Sequence, residues 1–210
     1  MIHQKKIYTF MFILLLLAII HLNYKKKYEK FPLNPKRYPN FLKKKDIDLL
    51  LEECNVFQKS TIVKNGKLIL DKFRKSKTCF INHESKINKV IKDRIKNIFN
   101  IEGNIETLQL TYYDQFNFYN SHYDYFLNEN LKDNKQRLKT IFVYLKCPED
   151  GGETNFPLLG KKFIPKLGDA VAWTNCKKVK DKYYYNKMSL HEGSVVKKGK
   201  KIGLNIWLTE

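Results

Sequence analysis

The chain contains few cysteines, and none of them form a Cys-x-x-Cys pair. Among its 210 residues only Cys54, Cys79, Cys147 and Cys176 are of this type. Their scattered spacing argues against a zinc ribbon and against a dense disulfide framework. One or two disulfides and buried free thiols are equally compatible with the count, so the cysteines do not define the redox compartment.

Acidic residues are also scarce. The chain has 21 Asp and Glu against 40 Lys and Arg, which gives a formal net charge of +19. Such an excess is typical of proteins that meet a polyanion, a membrane surface or an acidic substrate. More than half of it, +10, lies in residues 1–45, so basicity is weak evidence for function. The sequence has no internal repeat, and its aromatic content of 14% excludes a disordered chain.

One long apolar run lies near the N-terminus, from Ile7 to Leu22. As a helix it would span roughly 24 Å, slightly less than the hydrocarbon core of a bilayer. Lysine clusters at both ends disfavour a buried core helix, and no small-x-small cleavage site follows, which disfavours a signal peptide. We therefore predict an uncleaved membrane anchor over residues 1–24. The larger number of lysines after the run favours a cytosolic body by the positive-inside rule.

Residues 25–45 are basic and contain Pro32, Pro35 and Pro39. This composition predicts an extended tether between the anchor and the folded part of the chain. The folded domain is predicted over residues 46–210.

Helical periodicity comes first in this domain and short strands follow. Apolar spacing predicts helices over residues 46–56 and 84–99, and Asn65-Gly66 between two β-rich segments predicts a hairpin. After residue 106 several short β-rich segments are separated by turns: Leu108–Tyr113, Thr140–Leu145, Ala170–Trp173, Ser194–Val196 and Ile202–Leu208. This order predicts an α+β chain that ends in a β-sandwich or barrel.

Two histidines in the β-rich half carry the strongest chemical signal. On a strand, His122 and Asp124 would point to the same face, about 7 Å apart. His191, from a distant strand, would complete a set of two histidines and one carboxylate. This set leaves coordination positions open and is how non-haem iron(II) oxygenases hold their metal. A lone His-x-Asp also occurs by chance on half-exposed strands, so the assignment depends on the rest of the pattern.

The rest of the pattern consists of short motifs in a fixed order: Arg137-x-x-Thr140, Tyr144-Leu145, Gly151-Gly152-Glu153-Thr154-x-Phe156-Pro157, Gly199-x-Lys201 and Trp207. Together with Tyr119, the His122-x-Asp124 pair and His191-x-Gly193, they resemble the prolyl 4-hydroxylase family of iron(II)/2-oxoglutarate-dependent dioxygenases. The resemblance extends from about Phe41 to Leu208 and is weakest before residue 104.

This resemblance implies a double-stranded β-helix (jelly-roll) core over residues 104–209 with supporting N-terminal helices. It also implies hydroxylation of peptidyl proline in a proline-rich or collagen-like protein, with decarboxylation of 2-oxoglutarate to succinate. The implied cofactors are iron(II), 2-oxoglutarate as cosubstrate, O2, and L-ascorbate as reductant. The implied location is the lumen of the endoplasmic reticulum, contrary to the flanking lysines.

The resemblance also assigns roles to individual residues. The iron ligands would be His122, Asp124 and His191. The residues that hold 2-oxoglutarate would be Lys201, Thr140 and Tyr113. The substrate contacts would be Tyr119, Arg137 and Trp207. The chain departs from the family pattern at Phe116-Asn117-Phe118, Ser194-Val195, Ile202 and Thr209, which affects the peptide preference more than the reaction.

Two alternatives stay open at this point. The same chemistry on another substrate, such as alkylated nucleic acid, fits the positive charge, and a non-catalytic binding module on a membrane stalk fits the β-rich half. The basic, tyrosine-rich segment over residues 176–186 is either a solvated hairpin tip or a lid whose tyrosines pack on proline rings.

Overall fold

The computed structural model describes Met11 and residues 30–64, 67–70, 72–101, 103–126 and 135–209. The predicted anchor over residues 1–24 lies outside this part of the chain, apart from Met11. No helix within the described ranges is long and apolar enough to cross a membrane.

Residues 30–209, as far as they are described, contain two α-helices in their first half, α1 (Lys44–Glu53) and α2 (Lys86–Phe99). Both were predicted, but α1 begins two residues earlier and ends three residues earlier than the periodicity suggests. The Ser85 side chain accepts a hydrogen bond from the backbone N–H of Ile87 and caps the start of α2. Asn100 follows in the left-handed conformation, which ends this helix.

The described part of the chain contains nineteen short β-strands. In chain order they are β1 (Lys36–Tyr38), β2 (Gln58–Lys59), β3 (Ile62–Lys64), β4 (Lys67–Ile69), β5 (Arg74–Lys75), β6 (Lys77–Phe80), β7 (Asn104–Ile105), β8 (Gln109–Tyr113), β9 (Phe118–His122), β10 (Lys139–Lys146), β11 (Asp150–Gly151), β12 (Thr154–Phe156), β13 (Lys161–Phe163), β14 (Ala170–Thr174), β15 (Cys176–Val179), β16 (Lys182–Tyr185), β17 (His191–Gly193), β18 (Val196–Lys198) and β19 (Lys201–Thr209). Single 3-10 turns cover Pro157–Leu159 and Lys187–Ser189.

Thirteen of these strands form two facing antiparallel sheets, as a jelly roll requires, and the other six form the two-stranded pairs β3–β4, β11–β18 and β15–β16. The main sheet has the order β1-β14-β10-β19-β8-β6-β2, with β7 on the end of β19, and the smaller sheet has the order β13-β12-β17-β9-β5. Aromatic contacts join the two sheets: the Trp173 ring on β14 lies 5.1 Å from Phe156 on β12 and 4.7 Å from His191 on β17. The predicted hairpins are present as β3–β4 and β15–β16.

The two faces of the main sheet differ in chemistry because successive strand residues point to opposite sides. On β19, Leu204 and Ile206 belong to the core that the helices cover. Lys201 and Trp207 on the same strand line a cleft on the other face. The helical residues buried in that core are Ile47, Leu50, Ile87, Ile91, Ile95 and Phe99.

The predicted tether was wrong for the residues that the structure describes. β1 pairs with β14 from Lys36↔Ala172 to Tyr38↔Ala170, so this segment is an edge strand of the main sheet. The apolar side chains Phe31, Tyr38, Phe41 and Leu42 are buried in the main core. Prolines and lysines dominated the composition, but four large apolar side chains bury enough surface to order the segment.

Phe31→Ala tests this correction. The Phe31 ring packs 4.8 Å from that of Phe99, and its side chain is buried. We expect the substitution to lower the free energy of unfolding by about 3 kcal/mol, because it leaves a cavity in the core. Urea unfolding of a chain that begins at Lys30 measures this. The matched control Leu33→Ala, at an exposed leucine, should change stability by less than about 0.5 kcal/mol. Equal stability of both variants would contradict the assignment.

Candidate metal and cosubstrate site

Three predicted ligands converge at one end of the cleft. β9 ends at His122, β17 begins at His191, and these two residues pair across the strands. Asp124 lies in the bend just after β9, not on the strand as the spacing suggested. Its Oδ1 is 3.8 Å from His122 Nε2, and its Oδ2 is 3.7 Å from His191 Nε2. Ligand atoms of all three lie within 4.8 Å of one another, close enough for one ion.

Backbone carbonyls orient both imidazoles. Nδ1 of His122 donates to the carbonyl of Asn120 at 2.8 Å, and Nδ1 of His191 donates to the carbonyl of Ser189 at 2.9 Å. Because each Nδ1 carries the proton, each Nε2 presents a lone pair toward the shared space, as in metal-binding histidines. Burial, assisted by the nearby His191, lowers the pKa of His122 to about 3, so this ring is neutral at physiological pH.

The carboxylate of Asp124 is held ionised. Burial alone would raise its pKa, but the neighbouring His191, His122 and Arg137 and a hydrogen bond from Thr140 bring the pKa below its usual value. Two imidazole nitrogens and one ionised carboxylate oxygen are the donor set that non-haem iron(II) takes. The residues present therefore fit the implied metal.

Lys201 is a buried lysine on the face of the main sheet that lines the cleft. Its side chain is 2% exposed, and its ammonium lies 5.3, 5.1 and 5.7 Å from the ring centroids of Tyr113, Phe142 and Tyr144. No carboxylate in the described part of the chain lies within salt-bridge distance of this ammonium. Burial lowers the pKa of Lys201 to about 7. A buried ammonium without an anionic partner fits the distal carboxylate of 2-oxoglutarate, which would supply the missing charge.

Two further predicted cosubstrate residues lie nearby. Tyr113 pairs with Lys201 across β8 and β19, and burial raises the pKa of its phenol to about 12, so it keeps its proton. Thr140 is placed differently. Its hydroxyl donates to Oδ2 of Asp124 at 2.6 Å and accepts from the amide of Asn175 at 2.8 Å. Its contact with 2-oxoglutarate stays a prediction.

The three predicted substrate contacts line the same cleft. The Tyr119 ring stacks on the His122 imidazole with centroids 3.6 Å apart. The Arg137 guanidinium lies 3.5 Å from the Trp207 ring centroid and makes two hydrogen bonds to Glu106, at 2.8 and 2.7 Å. The indole Nε1 of Trp207 is buried and has no hydrogen-bond partner among the described residues.

Sequence reasoning missed Arg74, Glu106 and Asn175. Arg74 pairs with Tyr119 across β5 and β9, and its guanidinium lies 4.7 Å from the Tyr119 ring centroid. Glu106, from a distant segment, accepts the two hydrogen bonds of the Arg137 guanidinium. Each partner is an ordinary polar residue far along the chain, so only the fold reveals the pairing.

The basic, tyrosine-rich segment over residues 176–186 forms the β15–β16 hairpin beside the site. The Tyr185 ring stacks on that of Tyr125 with centroids 4.3 Å apart, and Tyr125 lies 4.8 Å from Tyr123. The hairpin therefore contacts the segment that carries Asp124. Whether it acts as a lid stays a prediction.

Two histidines, one carboxylate and an adjacent buried lysine define the site of a mononuclear non-haem iron oxygenase. The model of the 2OG-Fe(II) oxygenase superfamily matches residues 108–209. A probable prolyl 4-hydroxylase of Arabidopsis thaliana is 32% identical over 196 residues, covering 81% of this chain and 67% of the relative. A putative prolyl 4-hydroxylase of Acanthamoeba polyphaga mimivirus is 32% identical over 161 residues.

Solved structures agree with these sequence relatives. The viral collagen prolyl hydroxylase of Paramecium bursaria Chlorella virus-1, crystallised with 2-oxoglutarate, is 30% identical with a TM-score of 0.67. The match covers 83% of this chain and 95% of the viral one. The chain thus belongs to the prolyl 4-hydroxylase family of iron(II)/2-oxoglutarate-dependent dioxygenases. It spans about two thirds of the length of the plant relative.

Removal of any one ligand tests the metal site. We expect His122→Ala, Asp124→Ala and His191→Ala each to weaken Co(II) binding by more than about 100-fold, beyond the loss typical of outer-shell changes. We also expect each to abolish 2-oxoglutarate turnover. Calorimetry measures the affinity, and circular dichroism checks the fold. The control His83→Ala removes an exposed histidine that hydrogen-bonds Thr107 and should bind Co(II) normally. Retained affinity in any ligand variant would refute the assignment.

Proposed function

We propose that this chain hydroxylates peptidyl proline in a proline-rich or collagen-like protein, with conversion of 2-oxoglutarate to succinate and CO2. The observation that carries the proposal is the joint placement of His122, Asp124 and His191 with the unpaired, buried Lys201 on one cleft. The names of the similar plant and viral proteins support proline as the substrate residue.

Within this proposal each side chain has a stated task. His122, Asp124 and His191 hold iron(II), and Lys201 binds the distal carboxylate of 2-oxoglutarate beside the phenol of Tyr113. Bound iron(II) supplies O2 activation coupled to oxidative decarboxylation, with L-ascorbate as the reductant that keeps it ferrous. The rings around Lys201 exclude water from its ammonium, which strengthens its attraction for the carboxylate.

The cleft also suits an extended peptide. Tyr119 and Trp207 are among the residues that line the cleft, and proline-rich segments dock on aromatic-lined grooves. Arg137 is already paired with Glu106, so we propose that it supports Trp207 and contacts the peptide without adding net charge to the groove.

The pKa of Lys201 leads to a testable pH dependence. Below pH 7 the ammonium of the free protein is charged, whereas above pH 7 it must take up a proton when the dicarboxylate binds. We therefore expect 2-oxoglutarate affinity to fall by up to tenfold per pH unit above about pH 7. Calorimetry at pH 8 in buffers of different ionisation enthalpy should count close to one proton taken up.

Two variants serve as references for this effect. Lys201→Arg keeps its charge at every pH tested, so its weaker binding should lack the proton uptake. Lys201→Ala should lose most of the affinity. Unchanged binding by Lys201→Ala would show that another lysine holds the cosubstrate, and proton uptake by Lys201→Arg would show that another group titrates.

The salt dependence of KM distinguishes a peptide substrate from a nucleic-acid substrate. Contacts by aromatic rings and main-chain hydrogen bonds are screened little, whereas phosphate contacts weaken steeply with salt. For a chain beginning at Lys30, we expect the KM for a proline-rich peptide to stay nearly constant between about 50 and 200 mM salt, over which the screening length halves. Mass spectrometry of the peptide should show the gain of one oxygen atom. A tenfold rise in KM, or tight binding of single-stranded nucleic acid, would favour the other substrate class.

We also propose that residues 1–24 anchor the enzyme with its catalytic domain in the lumen of the endoplasmic reticulum. The disulfide between Cys54 and Cys79 supports an oxidising compartment, although the lysines after the apolar run favour the cytosolic side. Protease added to intact microsomes should leave residues 30–209 undigested. Digestion without detergent would place the domain in the cytosol.

A further inference from the structure

Asn175 is a buried polar residue outside the predicted site. It follows β14 directly and is fully buried. Its backbone is fixed on both sides: the N–H donates to the carbonyl of Leu138 at 2.9 Å, and the carbonyl accepts from the N–H of Asn186 at 2.8 Å. Its side-chain amide therefore reaches the interior from a rigid position.

The amide of Asn175 contacts a metal ligand through one intermediate. Its Nδ2 donates to the Thr140 hydroxyl oxygen at 2.8 Å, and this hydroxyl donates to Oδ2 of Asp124 at 2.6 Å. All three side chains are buried. The three groups form a chain of hydrogen bonds that ends on the carboxylate.

The direction of this chain follows from counting protons. An ionised carboxylate only accepts hydrogen bonds, and a hydroxyl has a single proton. Thr140 must give that proton to Asp124, so its second contact must be one in which it accepts. Only the nitrogen side of the Asn175 amide can donate there. With the amide reversed, Oδ1 of Asn175 and the Asp124 carboxylate would compete for the single Thr140 proton, and one of the two close contacts would have none.

The other end of the amide has no such contact. The Oδ1 of Asn175 is buried and has no hydrogen-bond partner among the described residues. A buried acceptor without a partner is costly. The hydrogen bond from Asn175 to Thr140 must therefore offset the cost of leaving Oδ1 unpaired.

We propose that Asn175 is a positioning residue for Asp124, acting through Thr140. By keeping the Thr140 proton on Asp124, it fixes the carboxylate rotamer beside the two histidines. Thr140 then supports the metal ligand, and the task of binding 2-oxoglutarate falls to Lys201 and Tyr113. The inference depends on the iron site of the proposed function but not on the peptide substrate.

A double-mutant cycle on the full chain tests this inference by metal affinity alone. At nearly constant volume, Thr140→Val removes both hydrogen bonds of the Thr140 hydroxyl, and Asn175→Leu removes only the one from Asn175. Each variant should weaken Co(II) binding about 10- to 100-fold. Because Asn175 acts through Thr140, the double variant should be no weaker than Thr140→Val. The visible absorption of bound Co(II) should change in the same way in all three. Additive losses, or wild-type affinity in a folded Asn175→Leu, would overturn the proposal.

Controls separate this role from a structural one. Thr174→Val removes a neighbouring buried hydroxyl that donates to the carbonyl of Pro32, and it should leave Co(II) affinity and spectrum unchanged. Thr140→Ser keeps the hydroxyl and should restore most of the affinity lost in Thr140→Val. If Thr174→Val weakened Co(II) binding as much as Asn175→Leu does, packing and not the hydrogen-bond chain would set the affinity.

The wild-type protein gives a second test if Asn175→Leu does not fold. Neutron diffraction locates deuterons directly. We expect the Thr140 deuteron to lie on the line to Asp124 and a deuteron of Asn175 to point at Thr140. A Thr140 deuteron that points at Asn175 would refute the proposal. Because neither experiment uses a peptide, failure of proline hydroxylation would leave both results interpretable.

Discussion

Strand alternation in the main sheet is the constraint on which the site depends. β8, β10 and β19 lie side by side, and each sends every second residue into the core that α1 and α2 cover. The intervening residues are free to be polar, and they supply Tyr113, Thr140, Lys201 and Trp207. A shift of one residue in any of these strands would exchange the two sets and bury the polar side chains among leucines. The apolar face therefore fixes the register of the functional face.

Burial has opposite consequences for the charged groups in the cleft. It lowers the pKa of His122 and of Lys201, because each ring or ammonium loses water that would stabilise its charge. Asp124 stays ionised since His191 and His122 and the Thr140 hydroxyl offset the same loss. The result is an ionised carboxylate beside imidazole nitrogens at one position and a buried lysine with no carboxylate of the described residues within salt-bridge distance at another. The first arrangement suits a divalent metal and the second suits a carboxylate ligand.

Local sequence signals predicted much of this molecule. The 3.6-residue period located both helices, and Asn65-Gly66 located a hairpin. His122, Asp124 and His191 were predicted as metal ligands from the family pattern around them, and the structure brings the three together. Partners from distant segments could not be predicted in this way. The Cys54–Cys79 disulfide joins the end of α1 to β6, and no local pattern distinguishes that pair from the others.

The N-terminal segment shows how composition can mislead. Its lysines and prolines are typical of a linker, yet Arg37 donates a hydrogen bond to Asp169 at 2.8 Å, and β1 completes the edge of the main sheet. What orders the segment is an open strand edge on β14 and the burial of Phe31 and Phe41. Both depend on tertiary structure, and the sequence of the segment alone does not contain them.

A crystal structure with Mn(II) and 2-oxoglutarate tests the account most directly. The account predicts one metal ion bound by Nε2 of His122, Nε2 of His191 and a carboxylate oxygen of Asp124. It also predicts the distal carboxylate of 2-oxoglutarate within hydrogen-bond distance of Lys201 Nζ. A metal bound elsewhere, or a distal carboxylate paired with a lysine other than Lys201, would contradict it.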